Sequence, residues 1–193
     1  MSKRLFDLAL VLATAPVWAP VIGVLALAVW LDDGRPLFFR QERAGREREV
    51  FRIWKLRTMS CEPDARQRRP TRLGAWLRQR GLDELPQVLN VFMGELSLVG
   101  PRPLALADAA RLIAEHPPFA QRFGVRPGVT GLAQVSQARG AALTAKLDLE
   151  YARRRTASLD LSVLFRTVWI NVVGKARGAK PGQEILGVDD RAA

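Results

Sequence analysis

The sequence predicts a helix-rich α/β domain behind an N-terminal re-entrant membrane helix, a monotopic arrangement. Three observations point there. A run of 24 residues without charge, Leu8 to Leu31, carries Pro16 and Pro20 inside it. Two strand-like segments follow, and after them several stretches place apolar residues at helical spacing. The 193 residues, 48% apolar and 25% charged, suit one domain with its own core. The expected division is residues 1–31 in the membrane, 32–173 as the folded domain and 174–193 as a loose tail rich in glycine and charge.

The charge-free run exceeds the roughly 20 residues that span a bilayer core. A cleaved signal peptide fits poorly, because cutting after Ala13-Thr14-Ala15 would leave the longer apolar part in the product. A kinked spanning helix is the stronger rival. Its flanks are basic on both sides, however: Lys3 and Arg4 before it, Arg35, Arg40, Arg43 and five further cations up to Arg57 after it. By the positive-inside rule both ends then prefer the cytoplasm. Proline lacks an N–H and clashes with the carbonyl four residues back, so Ala15-Pro16 and Pro20 are the expected break of a helix-break-helix hairpin.

The run from Pro36 to Met59 reads as a hairpin turning around Ala44-Gly45-Arg46 and carrying Lys55. Residues 60–70 read as a loop, after which Thr71 caps a short helix stopped by Gly81, with Arg78 and Arg80 in its last turn. A helix is expected from Asp83 through Met93, with Asp83 as its N-cap and Glu84 as a first-turn charge. The same helix N-terminus would keep an aspartate ionised and attract phosphate, so cap and nucleophile are compatible readings. In Gly100-Pro101-Arg102-Pro103 the prolines fix the backbone and leave one arginine projecting. A helix near 104–116 follows. Residues 126–131 read as a turn, 132–135 as a short strand, and Arg139-Gly140 as a second basic turn. Helices are expected at 143–155, where Asp148 and Glu150 lie close together, and at 158–173, an apolar segment that either covers the core or lies in the lipid interface.

A net charge of +11 implies a polyanionic partner: nucleic acid, an anionic membrane face or phosphorylated substrates. No named nucleic-acid motif or basic-aromatic platform occurs, so a membrane-tethered nucleic-acid-binding or scaffold protein is the alternative reading and no nucleic acid is expected as partner. The lone Cys61 excludes an internal disulfide, and His116 before Pro117-Pro118 reads as a helix end. Neither GxGxxG nor GxxxxGK[ST] is present.

The ordered stretches KRLFDLALVLATAP, FRIWKLRTM, LRQRGLDELPQVLNVFMGELSLVGPRPL, RPGVTGLAQV and LDLEYARRRT with SLDLSVLFRTVW resemble the bacterial sugar transferase family, the monotopic polyprenyl-phosphate phosphoglycosyl transferases. The resemblance covers about residues 3–173. It implies an enzyme at the cytoplasmic face of the bacterial inner membrane that moves a sugar 1-phosphate from a UDP-sugar to a polyprenyl (undecaprenyl) phosphate. UMP is released, magnesium is the cofactor, and the product starts surface glycan or glycoconjugate assembly. Carried over by residue, the resemblance implies Asp83 as the nucleophile that forms an aspartyl phosphosugar and as a magnesium ligand, with Glu84 assisting by proton transfer or positioning. Lys55, Arg78, Arg102 and Arg139 match basic positions around the phosphates, and Asp148 and Glu150 match acidic positions near the substrate end. Two departures stand out: Ala15 replaces the serine the family often has before its helix-breaking proline, and Gln137-Ala138-Arg139 replaces an Asn-Gly-Arg segment. Sugar identity, lipid length and oligomeric state stay open, a homodimer included.

Overall fold

The computed structural model describes residues 2–64 and 66–173. The expected tail, 174–193, lies outside the described residues. The chain forms two compact units. One comprises the residues up to Gln41 together with Arg52–Gly94, and the other Glu42–Phe51 together with the residues from Glu95 on.

The first unit begins with α1, Lys3–Asp33, capped by Ser2, whose hydroxyl accepts the Leu5 N–H. Among the described residues it is the one helix long and apolar enough to cross a membrane. Helical geometry runs through Pro16 and Pro20, where a break was expected at Ala15-Pro16 and Pro20. Each proline removes only one backbone donor, so the helical ladder continues on either side of it. The Thr14 hydroxyl donates to the Leu10 carbonyl at 2.6 Å, and the Trp18 indole N–H reaches back seven residues to the Val11 carbonyl at 2.9 Å.

Both ends of α1 are fastened to the same unit. At the first end Arg4 donates to the Val91 and Phe92 carbonyls, the latter at 2.7 Å. These belong to the last turn of α3, Gln87–Met93, whose carbonyls form the negative end of the helix dipole and favour a cation. At the far end the Arg57 guanidinium takes the Asp33 carboxylate, the Asp33 and Gly34 carbonyls and, through Nε, the Pro36 carbonyl at 2.6 Å. It also donates to Met59 O and to Cys61 Sγ. Between these fastenings Leu12, Val17, Val24 and Leu27 are exposed, while Ala26 and Val29 pack on Leu56 and Leu77.

Strands β1, Phe38–Ala44, and β2, Val50–Leu56, pair in a two-stranded sheet as expected, joined by a 3-10 turn at Arg46–Arg48. Helix α2, Arg72–Arg80, starts at Thr71, whose hydroxyl accepts the Gly74 N–H at 2.9 Å, and stops at Gly81 with φ 68°. Only glycine adopts that left-handed turn without strain. The expected helix from Asp83 is instead a 3-10 turn, Leu82–Glu84, followed by the seven-residue α3. Asp83 is not an N-cap, because Pro86, which has no N–H to give, marks the start of α3.

In the second unit β3, Ser97–Val99, runs parallel to β4, Gly128–Thr130, pairing Ser97 with Gly128 and Val99 with Thr130. The connection contains α4, Leu106–Glu115, and a 3-10 segment, Pro117–Gly124. A Cβ on Gly128 would lie 2.1 Å from Gly100 N, so only glycine permits this approach of the two backbones. The turn expected over 126–131 therefore contains a strand. The strand expected at 132–135 is α5, Leu132–Val135, a single helical turn after Gly131. Helices α6, Ala141–Arg154, and α7, Ala157–Val173, match their expected places. Their core joins Val99, Leu132, Val135, Leu147, Tyr151, Val163 and Ile170. The buried Tyr151 hydroxyl ties Val99 O and Asp160 Oδ1, each at 2.8 Å. The other face of α7 leaves Leu161, Phe165, Val168 and Trp169 exposed.

Candidate active site

In the first unit, strand alternation directs Lys55 of β2 away from Trp54, and its ammonium meets Glu84 Oε1 at 2.6 Å. Both side chains are largely enclosed, 15% and 22% exposed, so the pair is better screened from water than a surface ion pair. Arg78, exposed in the last turn of α2, gives its Nε–H to the Thr58 hydroxyl at 2.6 Å. A Cβ on Gly74 would fall 2.2 Å from Thr58 O, so the glycine lets α2 sit against this residue and Thr58 fixes the root of the Arg78 side chain.

Asp83 is buried in the 3-10 turn between these groups. Burial pushes its carboxyl above the ordinary value of 3.8, the Glu84 charge pushes the same way, and Lys55 and Arg78 oppose both. The expected helix dipole that would keep Asp83 ionised is replaced by desolvation acting in the opposite sense. The consequence is a carboxylate of raised proton affinity, hence a stronger nucleophile once deprotonated. An acid limb governed by Asp83 should therefore lie above the ordinary carboxylate range. Glu84→Gln should move it to lower pH by removing a like charge, and Arg78→Gln should move it higher. Single-turnover rates across pH for the three proteins check both directions, and equal limbs would refute the assignment.

The second unit holds the other expected site residues. Pro101 and Pro103 are buried while Arg102 between them is exposed, the projecting arrangement the alternating prolines predict. Arg139 is exposed in the turn before Gly140, whose φ is 84°. Glu150 is half-buried on α6 and paired with Arg154 one turn on.

Asp148, expected at the substrate end of the site, lies wholly inside this unit. Its Oδ2 is 2.8 Å from Nη2 of Arg122, and both side chains are 2% exposed. Desolvation lifts the Asp148 carboxyl to about 6 against the pull of Arg122, and lowers the Arg122 guanidinium. The same Nη2 donates to the Arg102 carbonyl at 3.0 Å, and the guanidinium lies over the Phe119 ring at 4.6 Å. Asp148 thus serves the turn that carries Arg102 from within. Arg122 escaped the sequence reading; its signal was an arginine between two phenylalanines, Phe119 and Phe123, in an apolar stretch.

Among the described residues, no three His, Cys, Asp or Glu side chains gather to hold a metal. Asp83, the expected metal ligand, offers a single buried carboxylate, so waters and substrate phosphates would have to complete the shell of a magnesium ion there.

The profile of the bacterial sugar transferase family matches residues 1–174. The UDP-glucose:undecaprenyl-phosphate glucose-1-phosphate transferase of Caulobacter vibrioides is 40% identical over 183 residues, covering 87% of this chain and 68% of that protein. The Escherichia coli protein of the same description is 37% identical over 191 residues, 91% of this chain and 41% of its own length. The UDP-N-acetylgalactosamine-undecaprenyl-phosphate N-acetylgalactosaminephosphotransferase of Aeromonas hydrophila is 32% identical over 179 residues, 86% of this chain and 42% of its own. The chain thus spans between about two fifths and two thirds of the length of these relatives.

Proposed function

Because this chain belongs to the bacterial sugar transferase family, we propose that it moves a sugar 1-phosphate from a UDP-sugar to undecaprenyl phosphate. The observation that carries the reading is Asp83, buried in the turn beside the Lys55–Glu84 pair and Arg78. An Asp83 oxygen bonds to the phosphorus that bears the sugar, the bond from that phosphorus to the bridging oxygen breaks, and UMP leaves with the electron pair. An oxygen of undecaprenyl phosphate then bonds to the same phosphorus and the Asp83–phosphorus bond breaks, which gives the lipid diphosphate sugar. Two partners, one soluble and one in lipid, thereby use one site in turn.

Cations answer the repulsion between anionic substrates and a carboxylate. Within the first unit, Arg78 and Lys55 would supply positive charge to the departing UMP. Glu84, held by Lys55, either accepts a proton or keeps Asp83 in place. Bound by Asp83 with the diphosphate, magnesium would supply further charge neutralisation and orientation of the phosphorus.

The site faces the cytoplasm, with α1 re-entering the same leaflet. What supports this reading is that both ends of α1, through Arg4 on α3 and Arg57 at the exit, are fastened to the same unit. Cysteines at positions 2 and 35 in a Cys61→Ser background should both label from the cytoplasmic side; labelling from opposite faces would exclude re-entry.

The relatives are described with different sugars, so UMP release is to be measured with UDP-glucose and UDP-N-acetylgalactosamine in parallel, with undecaprenyl phosphate in detergent. Release that requires magnesium and one donor is expected. No release from any UDP-sugar would overturn the reading.

A further inference from the structure

The amide of Asn90, on α3, is fully buried and takes two backbone groups of β2. Its Oδ1 accepts the Trp54 N–H at 3.0 Å, and its Nδ2 donates to the Arg52 carbonyl at 2.8 Å. Those two groups flank Ile53, and they are the N–H and C=O that one residue of a parallel neighbouring strand would bond. A side chain from a helix thus occupies the place of a missing strand.

The next residue of β2 is Lys55, and the turn just before α3 ends at Glu84. The same two segments are therefore joined twice, once by the Asn90 amide and once by the 2.6 Å Lys55–Glu84 pair. The two joints differ in kind. Lysine has four rotatable bonds and a point charge, so it adapts to misplacement, whereas a buried amide bonding a donor and an acceptor fixes sliding along the strand and rotation about it. Sliding β2 by a fraction of a residue would carry Lys55 away from Glu84 and alter the charge facing Asp83, whose proton affinity Lys55 lowers.

From this we infer that Asn90 is a positioning residue for the phosphosugar transfer: its amide stands in for a strand beside β2 and so sets Lys55 against Glu84. The inference rests on the transfer reading above, and its test has a readout that does not. Asn90→Leu removes both bonds at similar volume, and Asn90→Asp keeps the acceptor for Trp54 but turns an oxygen toward the Arg52 carbonyl.

Full-length protein in detergent is labelled with an amine-reactive acylating reagent, and modification of Lys55 is followed by peptide mass spectrometry. Both variants should raise the Lys55 labelling rate severalfold while the melting transition stays cooperative. With an accepted UDP-sugar, each should lower kcat roughly 10- to 100-fold, the range typical of groups that orient a reactive residue, with a smaller change in KM. In a Lys55→Met background Asn90→Leu should cost less than about twofold more, because the residue through which it acts is gone.

Unchanged Lys55 labelling in a folded variant would overturn the inference. So would an equal fold-loss with and without Lys55, which would mark Asn90 as structural only. If Asn90→Leu does not fold, Asn90→Asp is read by the same criteria. Raised labelling in a protein that releases no UMP would uphold the Asn90–Lys55 link while the transfer reading fails.

Discussion

Asp83→Asn should lower UMP release by on the order of 10^4-fold or more and abolish any phosphosugar adduct on the protein. The amide keeps the size of the carboxylate and loses its nucleophilic oxygen, so the loss belongs to kcat. Stability should move the other way. Asp83 has a folded proton affinity above its unfolded value of 3.8, so its stabilising contribution is complete below 3.8 and is lost as pH rises through the raised value. At neutral pH its ionised form is thus a burden on the fold, and a neutral amide removes it. The variant should melt no lower than the parent, a common trade between activity and stability. Thermal melts and UMP assays on the same samples check both halves. Near-parental turnover would eliminate Asp83 as nucleophile, and a large drop in melting temperature would show that burial is not the dominant influence on its carboxyl.

Arg122→Met should be the most destabilising single change among the charged residues discussed, at about 3–5 kcal/mol in alkaline solution, because it strands a buried carboxylate. The sign of its pH dependence follows from Asp148. In the parent that carboxyl titrates at about 6; without Arg122 it titrates higher still, so at mildly acidic pH it folds as the neutral acid. The penalty should therefore grow as pH rises from about 6 toward 8. Arg122→Met with Asp148→Leu replaces the pair by apolar side chains and should recover most of the loss. Denaturant melts of the three proteins at two pH values decide it, and a penalty that shrinks with rising pH would contradict the account.

The parts of this fold that are legible in sequence are those set by local chemistry. Thr71 and Gly81 bracket α2 because a hydroxyl cap and a left-handed glycine act within a few residues. Pro101 and Pro103 announce an exposed Arg102 for the same reason. The dyad itself, Asp83-Glu84, stood out as two acids in a basic chain. Its surroundings did not, since burial of Asp83 and the Lys55 contact depend on a strand 29 residues away. The pairing of β3 with β4 is likewise non-local, so 128–130 looked like a turn and the four residues after Gly131 like a strand. The resemblance assigns Asp148 to the substrate end, whereas its buried pairing with Arg122 leaves no local mark in the sequence. Asn90 did leave a trace, a lone amide inside the apolar run VLNVFM, whose meaning depends on β2.

The two fastenings of α1 also set an order of events on the ribosome. Arg57 lies 24 residues from Asp33, whereas the carbonyls that receive Arg4 are 87 and 88 residues away from it. A nascent chain can close the first of these as soon as β2 has emerged, but must wait for α3 to close the second. The downstream end of the apolar helix can therefore be secured first and its upstream end only last, once the strand bearing Lys55 and the turn bearing Asp83 have both emerged.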